Sequence, residues 1–183
     1  HKEPNRDDYV NSTPETRPKP EGLWDSELGY RLQKGKIKLD LTGYFMKYKD
    51  QLVPTGKLNE VGAYTRANVE NSYRLGLESS FSYQVLKDLR MELQATLSRN
   101  TIDSFVEYID NWDTGMQETV FHQNTKLAFS PDVLASAMIE YVPVSNPKHE
   151  LTANITGRYV GRQYTDNTSR SAAALDAYAV ADL

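Results

Sequence analysis

LRMELQATLSRN, residues 89–100, alternates almost without error. Leu89, Met91, Leu93, Ala95 and Leu97 fall on one side of an extended chain. Arg90, Glu92, Gln94, Thr96 and Ser98 fall on the other. Period-two alternation is the signature of a β-strand with one apolar and one polar face. The apolar face must meet either a protein core or lipid, and the two environments imply different functions.

Composition leaves both open. The chain has 183 residues, 39% hydrophobic and 25% charged, with a formal net charge of -4. No basic excess suggests a nucleic-acid partner. There is no cysteine, which excludes disulfide frameworks and cysteine zinc sites. No apolar run approaches the roughly 20 residues of a spanning helix. Tyrosine outnumbers phenylalanine, 12 to 5. The mean hydropathy of -0.63 suits a soluble domain. It suits a membrane β-barrel equally, because only alternate strand residues there face lipid. HKEPNRDDYV carries no signal peptide and opens as if in mid-chain, and AYAVADL ends like a strand cut short.

Outward from the first stretch, strand pairs recur around short turns. LWDSELGYRL turns through QKGK into IKLDLTGYFMKYKDQLV, with Gly35 suited to a tight turn. SYRLGLESSFSY turns through QVLKD into the opening stretch. VLASAMIEYVPV turns through SNPKH into ELTANITGRYV, and a seventh strand is expected near Leu175. Between the pairs lie longer polar connections, Lys49 to Asn71, Asn100 to Asn124, and GRQYTDNTSRSAAA. Short turns alternating with long loops put all turns at one end of a meander, as in outer-membrane barrels. The polar faces hold charges well inside strands, Glu27, Arg31, Glu78, Arg90, Glu92 and Arg158, as a hydrated lumen would. The apolar faces hold Trp24, Tyr30, Tyr73, Tyr83, Tyr141 and Tyr159 near strand ends, where interfacial aromatics sit. A soluble antiparallel sheet with one wet face shares these patterns.

Five phrases in order carry a family resemblance: EPNRDDYVNSTPETRPKPE before LWDSELGYRL; GYFMKYKDQLVPTG; NEVGAYTRANVENSYRLGLE; FSPDVLASAMIEYVPV; and GRYVGRQYTDNTS. Together they resemble the later part of the β-barrel domain of TonB-dependent outer-membrane receptors. The resemblance implies an all-β, antiparallel up-and-down meander forming part of a large transmembrane barrel of about 22 strands. On this basis residues 1–183 are expected to be an incomplete barrel domain of about seven strands, with neither the plug domain nor the closing C-terminal strand present. The end RSAAALDAYAVADL departs from the family in its alanines, Ala172 to Ala174, Ala179 and Ala181.

The resemblance further implies a Gram-negative outer membrane, lipid around the wall, and TonB acting through the plug. It implies uptake of a scarce nutrient, an iron-siderophore complex first by family frequency, with cobalamin, haem and oligosaccharides open. Asn5, Arg6 and Trp112 in outer loops, and Arg66, Arg74 and Arg158 toward the lumen, are the candidate ligand-binding residues. The arginines suit an anionic chelate, although each can instead pair with a carboxylate such as Glu78 or Glu92. His122 reads as an exposed loop histidine rather than a metal ligand. DNWDTG, residues 110–115, lacks the spacing of a calcium loop. Asn167-Thr168-Ser169 matches the glycosylation pattern by chance. No catalytic constellation, metal site or cofactor motif is present. The alternative is a soluble β-rich module, for example one that binds carbohydrate, in which Leu93 and Leu97 would be covered by protein.

Overall fold

The computed structural model describes residues 2–10, 12, 17–58, 64–111, 113 and 116–183. After a short helix α1 (Arg6–Val10) the chain is almost entirely extended. Its strands are β1 (Gly22–Lys34), β2 (Ile37–Leu58), β3 (Tyr64–Gln84), β4 (Leu89–Asn111), β5 (Met116–Lys126), β6 (Val133–Ser145) and β7 (Glu150–Val160). Then come the short β8 (Gln163–Tyr164) and β9 (Ala174–Leu175), and finally β10 (Tyr178–Asp182). One eight-stranded sheet runs β1-β2-β3-β4-β6-β7-β10, with β5 on β4, and every pairing is antiparallel.

The register carries one apolar face across the whole sheet. Leu28 pairs Gly43, Gly43 pairs Leu77, and Leu77 pairs Leu97. Farther on, Leu93 pairs Ala137, Ala137 pairs Gly157, and Gly157 pairs Ala181. Paired residues share a face, so each strand's apolar set lies beside the next. That face is uncovered: Leu28 is 82% exposed, Leu97 54% and Ile155 53%. A soluble domain buries such a face under a second layer, and none of the described elements supplies one.

Aromatic rings border the apolar band. Trp24, Phe45 and Tyr73 form a row on three adjacent strands, with centroid separations of 5.9 and 6.4 Å. Tyr83 and Tyr141 lie at the opposite end, paired with Met91 and Leu89. On β2 the band runs from Ile37 to Phe45, nine residues. That matches the roughly 9–11 residues with which a tilted strand crosses a bilayer. The uncovered face is the lipid-facing wall of a barrel segment.

The three short turns lie at one end. Lys34 pairs Ile37, which leaves Gly35 and Lys36 as a two-residue turn, and Gly35 has φ 58°. Positive φ at the first central position alone is the type II′ pattern, which favours glycine there. Gln84 donates its backbone N–H to Lys36 O at 2.9 Å, and Val142 donates to Asp88 O at 2.8 Å, joining successive turns along the rim.

The opposite end departs from the sequence reading. Residues expected in polar loops continue as strands: β2 reaches Leu58, β3 starts at Tyr64, and β4 runs to Asn111 and pairs with β5. Polar side chains hid this, because an extended hairpin standing in water has no apolar face to mark it. β5 and β6 pair with the same edge of β4, one above the other, separated by residues 127–132. The expected strand near Leu175 is likewise displaced. Ala174 and Leu175 pair with Tyr164 and Gln163, and the wall strand begins at Tyr178.

The buried apolar cluster, Val53, Val69, Ile102, Phe105 and Leu127, sits at this same end. The segment after β7 closes over it. Asn167 is 1% exposed; its Nδ2 donates to Pro54 O at 2.7 Å and its Oδ1 accepts from the Ala128 N–H at 2.8 Å. Ser169 Oγ accepts from the Lys126 N–H at 2.7 Å, and Arg170 reaches Glu107 at 2.6 Å.

Candidate functional site

The polar face of the sheet opposes the lipid face residue by residue. Glu27, Arg31, Asp40, Tyr44, Arg74, Glu78, Arg90, Glu92, Glu140 and Arg158 share it through the same register. Most of its charge is already paired. Arg31 bonds Asp40 on the neighbouring strand, and Arg90 bridges Glu92 at 3.4 Å and Glu140 at 3.3 Å. Arg74 is different: its guanidinium lies 5.7 Å from the centre of the Tyr48 ring. A cation over an aromatic face is attracted by the ring quadrupole.

Above Arg74 the N-terminal segment folds back onto the strands. Lys2 and Glu21 exchange backbone hydrogen bonds at 3.0 and 2.8 Å. Glu21 Oε1 accepts from the Leu52 N–H at 2.6 Å, and the Asn68 side chain exchanges hydrogen bonds with the Lys19 backbone. α1 is fixed by a reciprocal cap: Asn5 N–H to Asp8 Oδ2 and Asp8 N–H to Asn5 Oδ1, both 2.9 Å.

Between this segment and the wall lies a cavity of about 490 Å³, lined by Lys2, Glu21, Tyr48, Gln51, Leu52 and Arg66. A smaller recess beside it includes Asn5, Asp8 and Arg66. The cations keep loose partners, Lys2 with Glu21 and Arg66 with Asp8, both at 3.9 Å. The Lys2 and Arg66 side chains are 75% and 44% exposed, whereas the Glu21 and Asp8 side chains are only 15% and 10% exposed. An incoming anion can reach the exposed cations from the open side, beside carboxylates that stay held by the Leu52 and Asn5 N–H groups.

The sequence candidates therefore separate. Asn5 and Arg66 come together at these cavities, and Arg74 stands behind them through Tyr48. Arg6 lies on the exposed surface of α1. Arg158 is on β7, paired with Ser136 and Val180, and does not join the group. Trp112 lies outside the described residues. Lys2, Glu21, Tyr48 and Gln51 were missed. Tyr48 lay on the readable polar face, whereas the return of the N-terminal segment left no periodic signal.

His122 is not an exposed loop residue. It stands on β5 with its side chain 15% exposed, Nε2 2.8 Å from Glu107 Oε2, and its ring 6.3 Å from that of Phe105. The β4–β5 pairing sets Phe105 opposite His122 and brings Glu107 within reach. Among the described residues no group of three or more histidine or carboxylate side chains could hold a metal ion.

The family described as "TonB dependent receptor-like, beta-barrel" matches residues 4–183. Solved structures agree in fold. The copper transporter OprC aligns with a TM-score of 0.66 and 14% identity, over 98% of this chain and 26% of its own. The ferric yersiniabactin uptake receptor FyuA from Yersinia pestis aligns at 0.60 and 16%, over 88% and 22%. The siderophore receptor PirA from Acinetobacter baumannii aligns at 0.58 and 19%, over 90% and 25%. The chain thus spans about a quarter or less of the receptors it resembles. Comparison with curated proteins found no match.

Proposed function

Because this chain belongs to the TonB-dependent receptor β-barrel family of the Gram-negative outer membrane, a family of transporters and not of enzymes, we propose that it forms part of the wall of a receptor importing a scarce nutrient. An iron-siderophore complex is the leading substrate class. The observation that carries this choice is the cation-bearing cavity at the long-loop end, with Arg66 and Lys2 on its lining and Arg74 behind Tyr48. An anionic ferric chelate can pair with Lys2 and Arg66 and lie against the Tyr48 ring. Of the similar structures, FyuA and PirA are described by siderophore uptake and OprC by copper transport.

In this reading the barrel supplies the pathway and the long-loop end captures the ligand. Opening is driven by TonB acting through a plug domain outside residues 1–183. The test is binding of ferric siderophores, and separately of copper ion, to the intact receptor. We expect an anionic ferric chelate to bind, and Arg66→Ala with Arg74→Ala to weaken it by about tenfold or more. Binding of copper alone, or chelate affinity indifferent to both arginines, would overturn the choice of substrate.

A further inference from the structure

The three short turns form a rim whose charge runs against that of the chain. The chain as a whole is at -4. The turn segments Lys34–Lys36, Val85–Asp88 and Asn146–Glu150 hold four lysines against Asp88 and Glu150. Lys36 Nζ donates to Val85 O at 3.1 Å, which stitches the first turn to the second. The Asn146 side chain orders the third by accepting from the Lys148 and His149 N–H groups, both at 3.0 Å. Lys34, Lys87 and Lys148 are exposed, and their ammonium groups make no ion pair with any described residue.

Two further features sit on the same rim. Leu86 projects from the second turn, 56% exposed, beside Lys87. Tyr83 and Tyr141 border the lipid face immediately inside the turns. An exposed leucine beside free lysines, next to an interfacial tyrosine row, is the pattern of a surface lying in a headgroup layer. The apolar group enters the acyl boundary and the ammonium groups meet phosphate.

The geometry points to a contact between this rim and the anionic phospholipid headgroups of the leaflet at the short-turn end, with Lys34, Lys87 and Lys148 as the phosphate-binding groups. The inference rests on the family placement, which puts short turns on the periplasmic side. It is independent of which nutrient is carried. Lys36 is excluded from the test set because its ammonium group ties two turns together.

The intact receptor is reconstituted in vesicles of phosphatidylethanolamine and phosphatidylglycerol containing trace spin-labelled lipid of either type. The motionally restricted fraction of each label is measured by electron paramagnetic resonance. Wild type is expected to restrict labelled phosphatidylglycerol several-fold more than labelled phosphatidylethanolamine, on the order of tenfold at low salt. Lys34→Gln with Lys87→Gln and Lys148→Gln should lower the ratio measurably, by about a quarter or more, the rest of the receptor's perimeter keeping its own share. Lys19→Gln, on the N-terminal segment at the long-loop end, where only the backbone of that residue is bonded to Asn68, should leave it unchanged. Should the triple variant fail to fold, the salt dependence of wild type decides: selectivity must fall as salt screens the charges. Equal restriction of both lipids by wild type, selectivity untouched by the triple variant, or a salt-independent ratio overturns the inference. Loss of selectivity to inorganic phosphate at the ionic strength of a chloride control also overturns it, since a soluble anion would then be the ligand. Restricted phosphatidylethanolamine in every sample shows the barrel embedded, which separates failure of this inference from failure of the membrane placement.

Discussion

The Tyr44 ring lies across Gly76. The two residues are paired between β2 and β3, Gly76 is paired in turn with Ser98 on β4, and the Tyr44 hydroxyl extends over Gly76 toward that strand. A β-carbon at Gly76 would overlap the phenol ring. The missing side chain of one strand is thus filled by the aromatic of the next. Gly76→Ala should push the Tyr44 ring aside at a cost of about 1 kcal/mol, and the cost should largely disappear in a Tyr44→Ala background. Urea unfolding of the vesicle-reconstituted barrel gives the double-mutant cycle. Additive effects would show that the ring does not occupy that space.

The turn at Gly35 gives a smaller effect of a different kind. With φ at 58°, Gly35→Ala should lose roughly 1–2 kcal/mol to the left-handed conformation, while Gly35→Asn should lose less. Equal stabilities of the two variants in the same urea titration would contradict the turn assignment.

What the sequence displayed, and what it hid, divides along the membrane boundary. Between Ile37 and Phe45, or Leu89 and Leu97, two solvents act on the two faces, so alternation is nearly perfect and the strands could be read directly. Beyond Asn100 both faces of the β4–β5 hairpin are wet or covered by chain segments. Thr101, Asp103 and Ser104 therefore alternate with nothing, and β5 was read as loop. The candidate site was legible where it used the wall, at Arg74, and at Asn5 and Arg66 through the resemblance. It was illegible at Lys2 and Glu21, because their placement depends on hydrogen bonds between segments far apart in sequence. Asn167 shows the same limit: its glycosylation-like triplet said nothing of a buried amide bridging Pro54 and Ala128.

That amide makes a sharp local test. Asn167→Ala removes the hydrogen bonds to the Pro54 carbonyl and the Ala128 N–H, both partly buried, at about 0.5–1.5 kcal/mol for each bond. The wall strands do not depend on it, so the loss should be confined to the long-loop end. Amide hydrogen exchange at Ala128 should accelerate by about tenfold or more, while Leu93 and Ala95 amides keep their protection. Glu107→Gln should loosen the same segment less, since it weakens Arg170 and His122 contacts without emptying the site. Unchanged exchange at Ala128 in Asn167→Ala would mean the bridge does not hold the segment.

The alternation in LRMELQATLSRN supports the most direct test of the membrane placement. Leu93 pairs Phe81 and Ala137 on the apolar face, while Gln94 pairs Ser80 and Ser136 on the polar one. In the intact receptor, Leu93→Arg would place a guanidinium in hydrocarbon at roughly 2–4 kcal/mol near the midplane and less toward an interface. Gln94→Arg would face the hydrated lumen and cost below about 1 kcal/mol. A soluble sheet gives the same sign at Leu93, so stability alone does not discriminate. A spin label placed in turn at positions 91 to 96 does. Labels at 91, 93 and 95 should be relaxed by a lipid-soluble reagent, and labels at 92, 94 and 96 by a water-soluble one. If the odd positions were shielded from both reagents, protein rather than lipid would cover this face, and the barrel-wall assignment of β4 would fail.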